Sequence, residues 1–126
     1  MSPEVVALLR GSGVPKGDVL GVARVAGIQG AKHTPDLVPL CHPLALHAVS
    51  VDVSVADDAV EIAATVRTGV EMEALTAVAT AALTVVDMVK GVDRSAVITD
   101  VRIEEKTGGR SGAWRRGSEG VVQDVS

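Results

Sequence analysis

Four charged residues near the two ends of one predicted helix have types and spacings suited to acid–base chemistry. Asp87 and Lys90 are three residues apart, so in a helix they lie on neighbouring faces, where a carboxylate and an ammonium group can meet. Glu71 and Glu73 open the same predicted helix that Asp87 closes. A further cation, Lys16, lies in a Pro-Lys-Gly-Asp loop before another predicted helix. Lysines near carboxylates in a closed pocket can serve as proton donors and acceptors with shifted pKa values.

Two other stretches carry residues suited to catalysis or anion binding. His42 lies between Cys41 and Pro43, in a rigid connection. Lys106 and Arg110 bracket a Gly-Gly pair, and cations around exposed backbone amides suit a polyphosphate. This Gly-rich stretch lacks the spacing and the following helix of a Walker motif, so by itself it is a weak signal.

Each of these groups also has a purely structural interpretation. Asp87 with Lys90 is commonly a surface ion pair worth under about 1 kcal/mol. Glu71 and Glu73 complement the dipole at the start of a helix. His42 can be a turn histidine bonded to backbone, and a Gly-rich basic stretch is commonly a solvated tail. The residues alone leave both interpretations open.

Composition limits the classes of protein to which the chain can belong. The 126 residues fit one domain, and the net charge of −4 argues against a general nucleic-acid binder. A single cysteine, Cys41, excludes an internal disulfide and a cysteine-based zinc framework. Trp114 is the only aromatic residue, so the core must consist of Val, Ala, Leu and Ile, and association between copies would add burial.

The start of the chain and its longest apolar stretch favour a soluble, cytoplasmic protein. Residues 2–4, Ser-Pro-Glu, follow Met1 without the basic and apolar regions of a signal peptide. The uncharged stretch at residues 74–86 is too short to span a bilayer.

Capping residues predict the helices that precede the strands. Ser2 caps a helix ending near Arg10, and Asp18 caps a second one running to about Lys32. Gly and Ala make the second helix thin, so it needs close packing to offset the cost of its glycines. Residues 34–36, Thr-Pro-Asp, predict one more helical turn.

Alternation and spacing predict the rest of the domain. Residues 49–55 and 60–66 alternate valines and other apolar residues with smaller or polar ones, which predicts a β-hairpin. A long helix follows over residues 70–89, and residues 97–103 read as a last strand. In the long helix the predicted apolar stripe consists of Met72, Leu75, Ala79, Ala82, Val86 and Val89.

This order of elements predicts an α+β domain whose antiparallel sheet has its helices packed on one face. The order of elements equals that of a ferredoxin-like βαββαβ unit from which the first strand is missing. We expect residues 1–112 to form the single domain and residues 113–126 to be a flexible C-terminal tail.

Six blocks of sequence resemble, in order, the signature blocks of the cyclic pyranopterin monophosphate synthase family, also called the molybdenum cofactor biosynthesis protein C family. The blocks are Lys-Gly-Asp-Val at 16–19, Ala-Gly-Ile-Gln at 26–29, Pro-Leu-Cys-His-Pro-Leu at 39–44, Thr-Gly-Val-Glu-Met-Glu-Ala-Leu-Thr at 68–76, Asp-Met-Val-Lys at 87–90, and Lys106 followed by Gly-Gly-Arg-Ser-Gly at 108–112.

The resemblance implies a lyase with a pterin product and a GTP-derived substrate. It would rearrange 3',8-cyclo-7,8-dihydro-GTP to cyclic pyranopterin monophosphate and release pyrophosphate. The family fold is ferredoxin-like, and subunits assemble as a homohexamer, a trimer of dimers, with the pocket between subunits. No cofactor or protein-bound metal is implied, and a place for Mg²⁺ beside the substrate phosphates stays open.

The resemblance also assigns roles to residues. Asp87 is the expected catalytic acid–base residue, with Lys90, Lys16 and Lys106 as companions. Other residues are expected to bind the substrate, either by lining its pocket or by contacting its phosphates. They are Leu40, Cys41, His42, Met72, Glu73, Glu71 and Arg110.

The sequence departs from the family pattern at its start, where an expected strand carrying an arginine has no counterpart before Ser2. Its absence would remove a sheet edge and one phosphate ligand. Three hypotheses follow: an active synthase, a catalytically weakened paralogue that binds a nucleotide-like ligand, and an oligomeric scaffold of the pathway. Asp87 and the three lysines favour the active synthase.

Overall fold

A computed structural model describes residues 1–11, 13–41, 48–67, 71–107 and 113–116 of the chain. Within these residues helices precede and follow a β-hairpin, and a second, very short hairpin comes last. In chain order the elements are α1 (Pro3–Arg10), α2 (Val19–Lys32), α3 (Thr34–Leu37), β1 (Val49–Val55), β2 (Val60–Val66), α4 (Glu71–Val89), β3 (Glu105–Lys106) and β4 (Trp114–Arg115).

The predicted caps of the first two helices are confirmed. The hydroxyl of Ser2 accepts a hydrogen bond from the Val5 backbone N–H at 3.3 Å. The carboxylate of Asp18 accepts one from the Gly21 N–H at 3.1 Å. Each cap satisfies a donor that the first turn of a helix leaves without a partner, which is why these helices begin at those residues.

The β1–β2 hairpin and two helices form the α+β domain that the sequence predicts. Val51 lies opposite Ala64 and Val53 opposite Ile62 in an antiparallel register. The side chains of Val51, Val53 and Ile62 are buried, and α2 packs on β1 while α4 packs on β2. The buried apolar residues are Val, Ala, Leu, Ile and Met, so the core is built without aromatic rings, as expected.

Close contact between α2 and α4 depends on two glycines of α2. A Cβ atom on Gly30 would lie 2.8 Å from the Cβ of Thr80 and 3.2 Å from the Thr76 carbonyl oxygen. A Cβ on Gly27 would lie 3.1 Å from the Ala77 carbonyl oxygen. The glycines therefore let the two helix backbones approach, which confirms the expectation that α2 needs close packing.

The predicted apolar stripe of α4 is largely wrong. Of its six residues only Ala82 and Val89 are buried, whereas Met72 is 40% exposed. The buried face is rotated towards small residues and consists of Glu73, Ala77, Val78, Ala81, Ala82, Val85, Met88 and Val89. Because α4 is apolar on most sides, periodicity cannot select the buried face, and the fit of small residues against α2 selects it instead.

Helix α4 is also long and apolar enough, by length and composition, to cross a membrane. Core helices of soluble proteins pass the same test, and here α4 packs against α2 and β2.

The last predicted strand is wrong for the described structure, because residues 97–103 have no strand partner among the described residues. Asp100 has a φ of 60°, in the left-handed region, which interrupts the extended backbone. Val97 is 75% exposed as a result. Strand β3 begins only at Glu105, and it pairs with β4 inside the segment predicted as a flexible tail.

Candidate active site at the two ends of helix α4

The C-terminal end of α4 holds a carboxylate between two ammonium groups. Lys90 Nζ lies 2.8 Å from Asp87 Oδ1, and Lys16 Nζ lies 3.7 Å from the same oxygen. Lys16 also donates a hydrogen bond of 3.1 Å to the Asp87 backbone carbonyl. The loop before α2 brings Lys16 there through a turn at Gly17, whose φ of 112° favours glycine.

The charges of this cluster set the protonation state of Asp87. The hydrogen bond from Lys90 is the main cause that lowers the pKa of Asp87 below its ordinary value, and the positive charge of Lys16 lowers it further. The carboxylate is therefore ionised at neutral pH and can accept a proton, while the lysines can donate one. All three side chains are about half exposed, so a substrate can reach them.

The N-terminal end of α4 holds a second lysine–carboxylate pair. Lys106 Nζ on β3 lies 2.7 Å from Glu71 Oε1, in the first turn of α4. The Lys106 side chain is largely covered, whereas that of Glu71 is partly exposed. The pair therefore ties the β3–β4 hairpin to the start of the helix.

Next to this pair, a thiol contacts a buried carboxyl group. Cys41 Sγ donates a hydrogen bond of 3.4 Å to Glu73 Oε2, and Glu73 is only 3% exposed. Burial raises the pKa of the Cys41 thiol, and the hydrogen bond and charge of Glu73 raise it further. Cys41 is therefore a protonated donor at neutral pH and is poorly suited to act as a nucleophile.

The two lysine–carboxylate clusters lie far apart within one chain. At a rise of about 1.5 Å per residue, Glu71 and Asp87 are about 24 Å apart along the helix axis. The structure thus brings Lys16 and Lys90 to Asp87, and it places Lys106 at the other end of α4. The Lys16 contact spans 71 residues of sequence.

Of the remaining predicted substrate residues, Leu40 and Met72 lie in the described part of the chain. Leu40, next to Cys41, is 92% exposed, and Met72 lies beside Glu73 with a partly exposed side chain. His42 and Arg110 lie outside the described residues.

Two residues at this end were not among the predicted site residues. Trp114 on β4 lies opposite Lys106, and the Arg116 guanidinium carbon is 5.1 Å from the centre of the Trp114 ring. The available signal in the sequence was that Trp114 is its only aromatic residue.

Groups of three or more His, Cys, Asp and Glu residues able to hold a metal ion are absent from the described part of the chain. The side chains in the two clusters carry ammonium, carboxylate and thiol groups. That the protein holds no metal of its own stays a prediction.

This α+β domain has lysine–carboxylate clusters at both ends of helix α4. Such clusters are suited to an enzyme that moves protons on an anionic small molecule. Comparison with known proteins agrees with this class. The family model described as the MoaC family matches residues 1–109, and the chain belongs to that family.

Relatives named cyclic pyranopterin monophosphate synthase align with most of the chain. The protein from Streptomyces avermitilis is 72% identical, over 92% of this chain and 71% of its own length. The relative from a Nocardioides species is 68% identical, over 92% of this chain and 76% of its own length. The one from Corynebacterium glutamicum is 58% identical, over 90% of this chain and 76% of its own length.

Proposed function

We propose that this chain is a cyclic pyranopterin monophosphate synthase, a lyase of molybdenum cofactor biosynthesis. It converts 3',8-cyclo-7,8-dihydro-GTP to cyclic pyranopterin monophosphate and releases pyrophosphate. Relatives up to 72% identical carry the name of this enzyme. The single observation that carries the catalytic proposal is the contact of Lys16 and Lys90 with the Asp87 carboxylate, because these residues stand in the family's blocks.

The reaction requires the proton transfers that this cluster can perform. Forming the pterin needs ring opening and imine formation, in which a base accepts a proton and an acid returns one. Asp87, ionised beside two ammonium groups, is the base, and Lys90 and Lys16 are the adjacent acids. Closing the cyclic phosphate expels pyrophosphate, and cations such as Lys106 and Arg110 stabilise the negative charge that develops.

We assign the substrate-binding role to Leu40, Cys41, His42, Met72, Glu73, Glu71 and Arg110, of which Glu71, Met72 and Glu73 lie in the first turn of α4. Glu73 supplies carboxylate acceptors in a shielded position beside Cys41, which suits the donor groups on the edge of a heterocyclic ring. No cofactor is proposed, and a place for Mg²⁺ beside the substrate phosphates stays open.

The separation of the two clusters supports a site shared between copies of the chain. Proton-transfer groups must come within about 3 Å of the atoms they serve. Residues about 24 Å apart in one copy can act on one substrate only if a second copy supplies one of the clusters. We therefore propose a homo-oligomer, a hexamer built as a trimer of dimers. Exposed apolar residues on the helices, Val22, Val25 and Leu83, offer surface for the association.

For the fold we propose a ferredoxin-like arrangement in which a further strand fits beside β2. The Ala56 N–H bonds to the Ala59 carbonyl, and the Arg67 N–H bonds to the Ala48 carbonyl. Hydrogen-bonded and non-hydrogen-bonded pairs alternate along an antiparallel ladder. Ile62 and Ala64 therefore lie in non-hydrogen-bonded pairs, and their backbone groups point away from β1. At this edge a cavity of about 90 Å³ lies between β2, α4 and residues 96–99. Val60, Ile62 and Val85 are among the apolar side chains of its wall, and they could pack against the face of an added strand.

Amide hydrogen exchange tests whether a further strand covers this edge of β2. If one does, the Ile62 and Ala64 amides should be protected as strongly as those of Ala63 and Thr65, which bond to β1. Much faster exchange of the Ile62 and Ala64 amides would show that the edge is open and would contradict the proposed arrangement.

The domain and the compartment are proposed from the sequence. Residues 1–112 are the catalytic domain and residues 113–126 a tail, of which Trp114–Arg115 is described as β4. The enzyme works in the cytoplasm, where its GTP-derived substrate is made.

The decisive experiment is incubation of the protein with 3',8-cyclo-7,8-dihydro-GTP, with pyrophosphate and the pterin measured together. We expect both products in equal amounts. The matched control is Asp87→Asn, which keeps the shape of the side chain and should lose nearly all turnover while its circular dichroism and oligomer size stay unchanged. Binding of substrate without release of pyrophosphate by the unmodified chain would instead indicate a weakened paralogue.

A further inference from the structure

The β3–β4 hairpin places an aromatic ring beside a proposed catalytic lysine. Lys106 and Trp114 are directly opposite each other in the antiparallel register. Opposite residues project to the same face of a hairpin, with Cβ atoms about 5 Å apart. The Lys106 side chain reaches Glu71 on α4, so the face that carries Trp114 is the face of the hairpin turned to the start of α4.

An anchored cation holds the indole ring of Trp114. The Arg116 guanidinium lies 5.1 Å from the ring centre, within the range of a cation–π contact. Its Nε donates a hydrogen bond of 2.7 Å to the Ile103 carbonyl, and the Arg116 backbone N–H donates one of 2.7 Å to the Glu104 carbonyl. Arg116 is therefore fixed at two points, and it limits the positions available to the ring.

Despite this support, Trp114 does not belong to the hydrophobic core. Its side chain is 46% exposed, although an indole is the largest apolar side chain and contributes most when buried. The core is complete without any aromatic residue. The exposed ring thus contributes little to folding and is available for a ligand.

We infer that Trp114 is a substrate-positioning residue on which the fused guanine-derived ring of the substrate stacks. The inference rests on the proposed function. Planar heterocycles stack on aromatic side chains, and Trp114 is the only Phe, Tyr or Trp of the chain, which leaves the smaller imidazoles of three histidines as the other aromatic faces. A ring stacked there lies beside Lys106 and the Glu71 carboxylate.

Tryptophan fluorescence tests the stacking without any need for turnover. Because the chain has one Trp and no Tyr, its emission comes from Trp114 alone. GTP carries the guanine ring and the phosphates, whereas inorganic triphosphate carries only the phosphates. We expect GTP to quench the emission in a saturable way and triphosphate to leave it nearly unchanged. Equal responses to both probes, or no response to either, would overturn the inference.

Substitutions separate stacking from a purely structural role of the ring. Trp114→Leu keeps an apolar side chain but loses the π face, so we expect GTP affinity to fall about tenfold. Trp114→Phe should recover most of this loss. Arg115→Ala is the control, because Arg115 projects to the opposite face of the same strand. Equal GTP affinities of the Leu and Phe variants would contradict the stacking role.

Steady-state kinetics distinguish this inference from the proposed function. If the unmodified chain releases pyrophosphate, Trp114→Leu should raise the KM about tenfold and leave kcat nearly unchanged, since stacking holds the ring in ground and transition states alike. A lower kcat at constant KM would overturn the stacking role even in an active enzyme. An inactive chain whose Trp114 still responds to GTP alone would refute the synthase assignment and leave the ring site standing.

Discussion

At the scale of single residues, the chemistry of this chain depends on carboxylates held by cations or by hydrogen-bond donors. Asp87 is ionised between Lys90 and Lys16, so it can act as a base without help from a buried environment. Glu73 is the opposite case, a carboxyl group shielded from water with a thiol as its donor. These two environments suit proton transfer in one place and recognition of a ring edge in the other.

The first prediction concerns the pH dependence of catalysis. Lys90→Met removes the largest cause that lowers the pKa of Asp87, so that pKa rises towards its ordinary value. The acid limb of the kcat/KM profile should then move to higher pH, and kcat should fall about 100-fold as a proton donor is lost. Lys32→Met, at the exposed end of α2, is the matched control. An acid limb at its original pH would exclude Asp87 as the titrating base.

The second prediction concerns stability in acid. Asp93 accepts hydrogen bonds of 2.8 Å from the backbone N–H groups of Ser2 and Ser95, and another from the Ser95 hydroxyl. The side-chain hydrogen bond of Ser95 comes first among the causes that lower the pKa of Asp93 to about 2. A depressed pKa stabilises the fold above the unfolded value of about 3.9. That stabilisation is lost as the pH falls from about 4 to about 2.

The measurement is urea unfolding at several pH values in that range. Asp93→Asn should be less stable at neutral pH, and its free energy of unfolding should decline less between pH 4 and pH 2. Asp52→Asn, on the exposed face of β1, should keep the slope of the unmodified protein. If Asp93→Asn also keeps that slope, the hydrogen bonds to Asp93 do not contribute to folding as described.

At the scale of elements, α4 positions both clusters because its two ends lie on opposite sides of the domain. The helix begins with Glu71 and Glu73, and Asp87 lies in its last turn. Its middle is held by α2 and β2. The distance between the clusters is therefore set by a rigid element, and the close approach of α2 fixes the rotation of the helix.

The third prediction tests that close approach. Gly30→Ala should destabilise the protein by about 1–2 kcal/mol, because the overpacking cost exceeds the gain of about 1 kcal/mol in helix propensity. The added Cβ would meet Thr80 and the Thr76 carbonyl. Gly91→Ala, where an added Cβ meets nothing within 4 Å, is the control. Unfolding midpoints in urea give the comparison, and a Gly30→Ala protein as stable as the control would contradict the packing.

At the scale of the whole molecule, three features bear on the proposed homo-oligomer. Val22, Val25 and Leu83 are exposed on the helices, Val97 is exposed beyond them, and one edge of β2 lacks a partner within the described residues. The two clusters of the proposed site lie at opposite ends of α4. All three features support the proposed association of copies.

The fourth prediction is recovery of activity by mixing inactive variants. Asp87→Asn impairs one cluster and Lys106→Met impairs the other, so each variant alone should be nearly inactive. When both are unfolded and refolded together, mixed dimers contain one site with neither substitution. Equal mixing should therefore restore about a quarter of the normal activity, given a symmetric two-site dimer.

The control for this experiment uses two substitutions in the same cluster. Asp87→Asn mixed with Lys90→Met should recover no activity, because each mixed site still contains one of the changes. Tagged chains show by pull-down that mixed oligomers have formed. Mixed oligomers of the first pair without activity would rule out a site shared between copies.

Much of the local structure followed from the sequence by itself. Ser2 and Asp18 start their helices because a side-chain oxygen next to orphan backbone donors is a local interaction. The alternating valines predicted the hairpin, because successive strand residues project to opposite faces and the pattern shows which face is buried. Six short blocks, in order from Lys16 to Gly112, were sufficient to indicate the family.

Tertiary structure decided the features that depend on residues far apart in the chain. Lys16 meets Asp87 across 71 residues, and no local pattern encodes that contact. The buried face of α4 is selected by glycines of α2, because a helix apolar on most sides has no preferred face of its own. Residues 97–103 alternate like a strand, but pairing needs a neighbouring edge and a continuous extended backbone. A strand is stabilised by partners that only the assembled fold can supply.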